Sequence, residues 1–444
     1  MGFDDFDLLI LGAGPAGMSS ALAGLRAGKR ILILDSGPND GKYYHVRDRV
    51  NIRAPIGGIL GISSVWGGQL VMPTTRDLEN FSSHSNKQVI SRLMNGINSI
   101  KEYLNIDLNL DNKYPEISRN FSPEKYHPFD LIYSTYLPTL NLKSYFQDVI
   151  DSPLVTILET KISWLSIDKH FNLLSVGLED GIQIQTQEKK VIVALGALES
   201  ARLILKSNTV TRRVPVLDHP QGYILSLRGK GSKELRTPNL LKFRGRDFRR
   251  KFLYSNSRRE GVIEFHENLN LDLKLFFKSP LVVFRRIINR ATKKLGLRYL
   301  FVPDEFLVWV QIDQVPNENS YIELKDGAFN ESWSVGTCDL EFIEEIEIQV
   351  RRLAKKINLE VHAEETLSLN RCLFPKFDHA YHPSSTLFSS DSSETLLLRF
   401  GKFENSSNFA IASSAIFPTS GWLNPTLFIM GMSFTITEEL IKPN

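Results

Sequence analysis

The sequence contains few cysteines. Cys338 and Cys372 are the two in 444 residues, too few for a disulfide framework, and their spacing does not match a metal-binding motif. No metal site is therefore predicted, and a reducing, cytoplasmic setting is expected.

Long apolar runs are also lacking. No stretch reaches the roughly 18 apolar residues that a membrane-spanning helix requires. The start, MGFDDFDLLILGAG, is acidic and lacks the basic segment of a secretory signal, so it favours a buried strand. The 53 basic and 50 acidic side chains leave a net charge of +3, which gives no general reason to expect nucleic acid or a membrane as partner.

Positive charge is concentrated in two stretches, residues 242–251 and 285–298. The second has apolar residues at near-helical spacing and predicts an amphipathic basic helix. A solvated face is the default interpretation of both. The alternatives are an anionic substrate, such as a phosphorylated or carboxylated sugar, and a transient membrane contact.

The length of the chain predicts two domains, and its first residues predict a βαβ unit. Residues Phe6–Leu11 form an apolar run typical of a buried parallel strand. The glycine-rich turn 12–17 (GAGPAG) follows, then a helical pattern over Met18–Ala27 and a second buried strand over Arg30–Leu34.

Each glycine of this turn has a physical role in a dinucleotide site. Gly12 permits the tight turn, Gly14 lets a pyrophosphate approach the backbone, and Gly17 lets the helix pack on the strand. Asp35 ends the second strand, where an acid can bind the ribose hydroxyls of the adenosine half. The unit alone does not distinguish FAD from NAD.

Three further segments carry glycine or polar turns between apolar runs. The loop Gly57–Pro73 (GGILGISSVWGGQLVMP) combines glycine density with apolar side chains, which suggests backbone wrapped around a flat ligand. Residues 190–205 (KVIVALGALESARLIL) predict a strand over Val191–Leu195, a glycine and a helix. Residues 408–427 (NFAIASSAIFPTSGWLNPTL) lead into a C-terminal helix.

Together these pieces resemble the glucose–methanol–choline (GMC) family of flavoprotein oxidoreductases. The matching segments occur in the family's order: GAGPAG with ILILDSG, GISSVWGG, LGALESARLIL, LDHP, YHPSST and IASSAIFPTSGWLNPT. The resemblance is thin over residues 80–150 and 225–370. It implies oxidation of an alcohol to a carbonyl, with a hydride passing to flavin N5 and a separate acceptor reoxidising the flavin.

The resemblance also implies the fold: an α/β protein, α+β overall. A Rossmann-like FAD-binding domain is expected from residues 1–80, 152–222 and 400–444. A substrate-binding domain with an antiparallel sheet is expected from residues 81–151 and 223–399. The predicted FAD contacts are Gly12, Gly14, Pro15, Ala16, Gly17, Asp35, Ser36, Ser64, Trp66, Gly67, Gly68, Ala194, Gly196, Glu199, Arg202, Ser413, Ser414, Asn424, Pro425 and Thr426.

His382 and Asn424 are the predicted catalytic residues. Oxidising an alcohol requires a base for the hydroxyl proton, and histidine titrates near neutral pH. His382 stands in a segment that resembles the family's HPxGT, although Ser385 occupies the glycine position. Asn424 matches the family's second catalytic position. An amide is not a base, so it would hold the substrate oxygen.

Trp422 and Tyr381 are the predicted substrate contacts. The indole of Trp422, where many relatives have a small residue, would narrow the site or stack on a substrate ring. Ser413 stands where many relatives carry an aspartate. The alternatives left open are a non-redox lyase of the same fold, a dehydrogenase for an anionic or phosphorylated sugar, and a non-catalytic binding protein.

Two segments of the middle region have clear periodicity. Residues 305–325 predict two strands around a Pro-Asn turn, and hence an antiparallel sheet in the substrate domain. Residues Leu340–Ile357 predict a helix with basic side chains in its last turn.

Overall fold

The fold is described from a computed structural model of the chain. The structure describes residues 5–37, 44–46, 50–52, 68–81, 87–106, 123–137, 142–207, 212–229, 240–243, 246–267, 279–294, 300–301, 303–361, 377–378, 380, 382–387, 398–399, 401–403, 406–422 and 424–442. Within these residues, no helix combines the length and the apolar character needed to cross a membrane.

The strands, in chain order, are β1 Leu8–Leu11, β2 Ile31–Asp35, β3 Tyr44–Val46, β4 Val50–Ile52, β5 Gln69–Leu70, β6 Phe129–Tyr136, β7 Val155–Glu159, β8 Ile162–Ile167, β9 Leu173–Leu178, β10 Gln183–Gln185, β11 Lys190–Val193, β12 Arg213–Pro215, β13 Gln221–Arg228, β14 Leu240–Phe243, β15 Arg246–Ser255, β16 Glu260–Glu267, β17 Glu305–Ile312, β18 Tyr321–Lys325, β19 Ala328–Ser332, β20 Glu360–Val361, β21 Leu398–Arg399, β22 Lys402–Phe403 and β23 Phe409–Ile411. The α-helices are α1 Pro15–Arg26, α2 Thr75–Phe81, α3 Lys87–Tyr103, α4 Pro123–Tyr126, α5 Gln147–Ile150, α6 Gly196–Ser207, α7 Pro280–Lys294, α8 Thr337–Lys356 and α9 Thr426–Ile441. Two 3₁₀ turns span Leu142–Phe146 and Ser414–Ile416.

The first sheet has seven strands in the order β21-β22-β23-β11-β1-β2-β7. The five strands from β23 to β7 run parallel, with β1 at the centre between β2 and β11. Every residue of β1 and β2 is buried, because helices cover parallel sheets on their faces. The predicted βαβ unit is therefore present.

Helix α1 begins three residues before the predicted start. Proline at the first helical position has its backbone angle already set and lacks an N–H that would have no intrahelical partner. Pro15 therefore extends the helix up to the glycine turn, with Gly14 as the N-cap. The final helix, α9, packs against α1 and α3 and is buried on almost every side.

The second large sheet is antiparallel, in the order β20-β13-β17-β16-β15-β6-β5, with β14 paired to β15. One face is aromatic: Phe252, Phe265 and Phe306 pack with Phe342 and Ile346 of α8. The helix predicted over Leu340–Ile357 is confirmed as α8.

The opposite face of this sheet meets the chain that follows the parallel sheet. Leu253 and Val262 pack there with Val71 and the buried indole of Trp422. The two sheets thus meet next to residue 422.

The two strands predicted within residues 305–325 are present, but they do not pair with each other. β17 lies between β13 and β16, whereas β18 pairs with β12 and β19 in a separate three-stranded sheet. The connection between them, residues 313–320, contains the buried Asp313 and Gln314, so it is a packed crossing between sheets. The domain boundaries given by the resemblance stay a prediction.

Candidate functional site

The glycine turn after β1 fits a phosphate-binding site. Gly12 has φ +102°, and a Cβ there would lie 2.6 Å from the Ala194 carbonyl oxygen. A Cβ on Gly17 would lie 1.9 Å from the Gly12 carbonyl oxygen, so α1 packs directly on the turn. A Cβ on Gly14 would meet no described atom within 4 Å. Among the described residues, the N-terminus of α1 has no side-chain cap, and described atoms leave space next to Gly14.

Asp35 fixes the shape of this turn. Its Oδ2 accepts a hydrogen bond from the Ala13 N–H at 2.8 Å, and its Oδ1 accepts one from the Gly37 N–H at 3.0 Å. Each carboxylate oxygen has a further lone pair, so Asp35 can still accept hydrogen bonds from ribose hydroxyls. Ser36, the next predicted contact, is exposed.

The second strand–glycine–helix element joins the same region. Gly196 has φ +77° and begins α6, and Thr386 donates its hydroxyl to the Ala197 carbonyl at 2.9 Å. Glu199 and Arg202 of α6 form an ion pair, and Arg202 Nε also contacts Glu331 of β19 at 2.6 Å. These two side chains thus tie α6 to a hairpin, and their predicted contact with FAD stays a prediction.

The 3₁₀ turn at Ser414–Ile416 supports the loop that carries His382. Ser413 caps the turn through the Ala415 N–H and lies 3.4 Å from the Ser200 hydroxyl. Ser414 donates its hydroxyl to the Pro383 carbonyl at 2.9 Å, and its own carbonyl accepts the Ser385 N–H at 3.0 Å.

A single carboxylate, Asp218, holds the predicted base in place. Its two oxygens accept the backbone N–H groups of His219, Ala380 and His382 at 2.6, 3.1 and 3.0 Å. An antiparallel bridge between Leu217 and Ser384 brings the two segments together. Burial raises the pKa of Asp218 to about 7, even though the three N–H donors act to lower it.

His382, which is half-buried, lies beside a fully buried histidine, His219. Their ring centroids are 5.3 Å apart and their planes are inclined by 69°. His219 Nδ1 lies 2.7 Å from the Gly421 carbonyl oxygen, which can only accept, so Nδ1 carries the proton and Nε2 has a free lone pair. Neither His219 Nε2 nor His382 Nδ1 has a hydrogen-bond partner among the described residues.

Both histidines are neutral at pH 7. Burial lowers the pKa of His219 to about 4, more strongly than the Gly421 carbonyl raises it. Burial also holds the pKa of His382 well below its ordinary value, and the neighbouring His219 and the charge of Lys251 lower it further. A neutral, buried imidazole can accept a proton from a substrate that excludes water.

His219 was not predicted as a site residue. The sequence segment LDHP contributed to the resemblance, but neither its histidine nor its aspartate received a role. A histidine before a proline is by itself a weak sequence signal for an active site. The bridge between Leu217 and Ser384, seen only in the structure, brings His219 next to His382.

Asn424 lies directly before Pro425, the N-cap of helix α9. Its Oδ1 accepts the Thr426 N–H at 3.3 Å and the Thr426 hydroxyl at 2.8 Å, with Pro425 between them. The carbonyl oxygen is thus used locally, which leaves the amide N–H₂ as the group that would bind a substrate oxygen.

Trp422 is a buried connector between the sheets. Its side chain is 1% exposed, its indole N–H donates to Glu260 Oε2 at 2.9 Å, and its carbonyl accepts from Gln311 Nε2 at 2.6 Å. Its predicted substrate contact stays a prediction.

Four predicted site residues, Ser64, Trp66, Gly67 and Tyr381, lie outside the described residues. Gly68 is described: it has φ +71°, and its carbonyl accepts the Leu137 N–H at 2.9 Å.

The chain has a mixed α/β fold with one parallel sheet and several antiparallel sheets, so the predicted fold class is confirmed. Among solved structures, the crystal structure of pyridoxine 4-oxidase from Mesorbium loti is similar to this chain with a TM-score of 0.62 and 12% sequence identity, over 98% of each chain. Comparisons with models of protein families and with curated protein sequences give no match.

Proposed function

We propose that this chain is an FAD-dependent oxidoreductase of the GMC family that oxidises an alcohol, such as a sugar or polyol, to a carbonyl compound. The observation that carries the proposal is the pair of neutral, neighbouring histidines, the buried His219 and the half-buried His382, at the junction of the two sheets. Similarity to a structure titled as an oxidase supports the same reaction class.

The residues at the parallel sheet fit FAD. The backbone at Gly12, Gly14 and Gly17 and the N-terminus of α1 would hold the pyrophosphate, and Asp35 would face the adenosine ribose. The turn at 413–416 and the segment 424–426 would border the flavin ring. When bound, FAD supplies the hydride acceptor, the flavin N5.

The protein's own side chains take up the hydroxyl proton of the alcohol. As the C–H bond of the alcohol breaks, His382 takes the hydroxyl proton, and its low pKa keeps it unprotonated and ready to do so. Asp218 positions the backbone of both histidines, and the amide N–H₂ of Asn424 orients the substrate oxygen. The substrate is a small molecule, and a separate electron acceptor completes the cycle.

Anaerobic titration of the purified holoprotein with a panel of alcohols tests the proposal. We expect one class of alcohol to bleach the flavin absorbance band near about 450 nm. The variant His382→Ala should retain FAD but lose this reduction by about 100-fold or more, as expected for removal of a general base. The exposed His170→Ala serves as the control and should behave as wild type.

Three outcomes separate the alternatives. Absence of bound flavin would remove the basis of the proposal. Formation of a lyase product without any flavin bleaching would identify a non-redox enzyme of the same fold. Bleaching that persists in His382→Ala would exclude His382 as the base.

A further inference from the structure

The sheet face that meets Trp422 carries charged side chains in the interior. Lys251 and Glu264 have 4% and 0% side-chain exposure. Lys251 and Leu253 are two residues apart on β15 and so point to the same face, where Leu253 packs with Trp422. Lys251 also lies 5.7 Å from the centroid of the Trp309 ring.

Two cations on this face share one carboxylate. Arg249 donates to Glu264 Oε2 from Nε at 2.8 Å, and its Nη2 lies 2.7 Å from the same oxygen. The Lys251 ammonium is 3.5 Å from Oε1, an atom with no hydrogen-bond partner among the described residues. Burial acts to raise the pKa of Glu264, but the His266 hydrogen bond and the two cations lower it to about 2. The carboxylate therefore contributes one negative charge against two positive ones.

His266 contacts the same carboxylate. Its Nε2 lies 3.0 Å from Glu264 Oε2, and its Nδ1 lies 2.9 Å from the Tyr223 hydroxyl. Arg249 and Lys251 thus share one carboxylate, and burial lowers the pKa of Lys251 although Glu264 acts to raise it. An anionic ligand beside Lys251 would offset the cost of burying its charge.

Lys251 lies on the sheet face that packs on Trp422, and Gly421, next to Trp422, contacts His219. The charge of Lys251 acts to lower the pKa of both His219 and His382. An ammonium has three N–H donors, and the loose contact with Glu264 occupies at most one of them.

We propose that Lys251, supported by Arg249, binds an anionic group of the alcohol substrate, either a carboxylate or a phosphate. The inference rests on the proposed function and deepens it, because it names the charge class of the substrate. A neutral alcohol would leave Glu264 as the shared carboxylate of both Lys251 and Arg249.

Anion binding is tested first without catalysis. Acetate and inorganic phosphate are titrated separately into the holoprotein, with thermal unfolding and tryptophan fluorescence as readouts. We expect one of them to raise the melting temperature and to change the fluorescence, since Trp309 is beside Lys251. The response should disappear in Lys251→Met, persist in Lys251→Arg, and persist in the exposed control Lys161→Met.

Catalysis is then compared within matched substrate pairs, a hydroxy acid against its amide and a phosphorylated polyol against the free polyol. Wild type should prefer the charged member by at least about tenfold in kcat/KM, and Lys251→Met should lose that preference. Flavin reduction without any charge preference would overturn the inference and leave the proposed function intact. Anion binding that depends on Lys251, without reduction of the flavin by any alcohol, would support the anion site and overturn the proposed function.

A second, independent inference concerns helix α7, which exposes three large apolar side chains. Its inner face carries Arg286, which pairs with Asp304 and Glu305 at 2.8 and 3.0 Å, and Asn289, which binds the Phe301 backbone. Leu281, Phe284 and Ile287 point outward and are 62%, 56% and 49% exposed.

The outer face of α7 also carries positive charge. Arg285 and Arg290 are exposed there, and residues 279–294 contain no acidic residue. An apolar stripe flanked by arginines is the pattern of a helix that lies in the interface of an anionic bilayer. We infer that α7 docks the protein on an anionic membrane surface through Leu281, Phe284 and Ile287.

Co-sedimentation of the holoprotein with vesicles tests this second inference. Vesicles of phosphatidylcholine alone are compared with vesicles of phosphatidylcholine and phosphatidylglycerol in equal parts. We expect binding to the anionic vesicles, loss of binding in the double variant Leu281→Ser/Phe284→Ser, and a reduction of about fivefold for each arginine changed to glutamine at 285 or 290. Ile348→Ser, which removes an exposed isoleucine of α8, is the matched control and should bind as wild type.

Absence of binding by wild type would overturn the second inference, as would equal loss in Ile348→Ser. Sedimentation as a dimer that dissociates in Leu281→Ser/Phe284→Ser would assign the stripe to a second copy of the chain instead.

Discussion

At the scale of single residues, the candidate site depends on side chains that accept hydrogen bonds from backbone N–H groups and so position the loops. Asp218 and His382 are 164 positions apart, and one carboxylate joins them. The same carboxylate binds the N–H of His219, so both imidazole rings take their positions from Asp218. The sequence indicated His382, the proposed base, through its YHPSST segment. It did not indicate the partner, because nothing local in LDHP shows which loop it meets.

Ser385 is a strained residue in the loop of the base. Its φ is +58°, in the left-handed region that glycine adopts freely and that costs other residues roughly 1–2 kcal/mol. This conformation fits the glycine that the HPxGT segment of the resembled family has at this position. The Ser385 hydroxyl is also buried without a hydrogen-bond partner among the described residues.

Ser385→Gly should therefore stabilise the protein. Relief of strain and loss of an unpaired buried hydroxyl outweigh the entropy that glycine adds to the unfolded chain, so we expect a gain of about 1 kcal/mol in the free energy of unfolding. Urea unfolding measures it. The control, Ser384→Gly, loses a hydroxyl that contacts the Leu217 carbonyl and should be destabilising. Equal effects of the two variants would show that strain at 385 is negligible.

At the scale of secondary-structure elements, helices α3 and α9 approach each other through glycines. A Cβ on Gly431 would lie 2.7 Å from the Ile97 Cα and 2.8 Å from its nitrogen. A Cβ on Gly96 would lie 2.4 Å from the Gly431 carbonyl oxygen. Backbone atoms do not move aside as a flexible side chain does, so both glycines set the spacing of the helices.

Gly431→Ala should lower the free energy of unfolding by about 1–3 kcal/mol, because the added methyl group forces the helices apart. The sign is diagnostic, since alanine is otherwise preferred over glycine in a helix by about 1 kcal/mol. Asn95→Ala, on the exposed face of α3, is the control and should be neutral or slightly stabilising. Denaturant unfolding of both variants decides between packing and propensity.

The end of β17 carries a buried acid that makes stability depend on pH. Asp313 Oδ1 accepts the Ser420 hydroxyl at 3.1 Å and the Gly421 N–H at 3.0 Å. Burial raises the pKa of Asp313 from 3.8 to about 6, although Arg259 and these two donors act to lower it. Between about pH 4 and about pH 6, Asp313 therefore keeps its proton in the folded state but has lost it in the unfolded state. The contribution of Asp313 to stability is complete below about pH 4 and is lost as the pH rises to about 6.

Asp313→Asn keeps an acceptor at Oδ1 and cannot ionise. Relative to wild type, its free energy of unfolding should rise between pH 4 and pH 7, by up to roughly 3 kcal/mol for a pKa difference of about 2. Urea unfolding at several pH values measures the difference. The exposed Glu318→Gln provides the control. A constant offset between Asp313→Asn and wild type across this range would mean that Asp313 is ionised throughout.

Elements were predictable from the sequence where their signals are local. The βαβ unit at 8–35 and helix α8 follow from apolar runs, glycines and helical periodicity within a few turns of chain. β17 and β18 were also found as strands, but their separation into different sheets was not. Strand pairing depends on distant partners, here β13 and β16 for one and β12 and β19 for the other, and a turn signal between two strands does not report them.

At the scale of the whole molecule, the burial of Lys251 could not be predicted from the sequence, for a related reason. Lys251 was visible only as the end of the basic stretch 242–251, the same as a solvated lysine. Its burial becomes apparent when β15 is paired with β16 and the sheet is set against Trp422. Charge runs are ambiguous until the fold decides which side chains face water.

Trp422 is the clearest link between the two large sheets. It follows β23 of the parallel sheet, yet its indole N–H and its carbonyl are bonded to Glu260 of β16 and Gln311 of β17. Its ring fills the space between Val262 and Val71. We therefore expect the contacts of Trp422 to stabilise each of the two sheets against unfolding.

Trp422→Ala should lower the free energy of unfolding by about 3–5 kcal/mol, the range for a large aromatic ring removed from a core. Hydrogen exchange followed by mass spectrometry should show lost protection in both sheets, in β1 and β2 as well as in β16 and β17, since the cavity and the hydrogen bond lost by Glu260 lie at their junction. The control is Trp164→Ala on β8, where the ring is 39% exposed and the loss should stay near 1 kcal/mol or below. Protection lost only in β16 and β17 would show that the antiparallel sheet opens independently, and the site would then be able to admit substrate by local opening of that sheet rather than of the whole molecule.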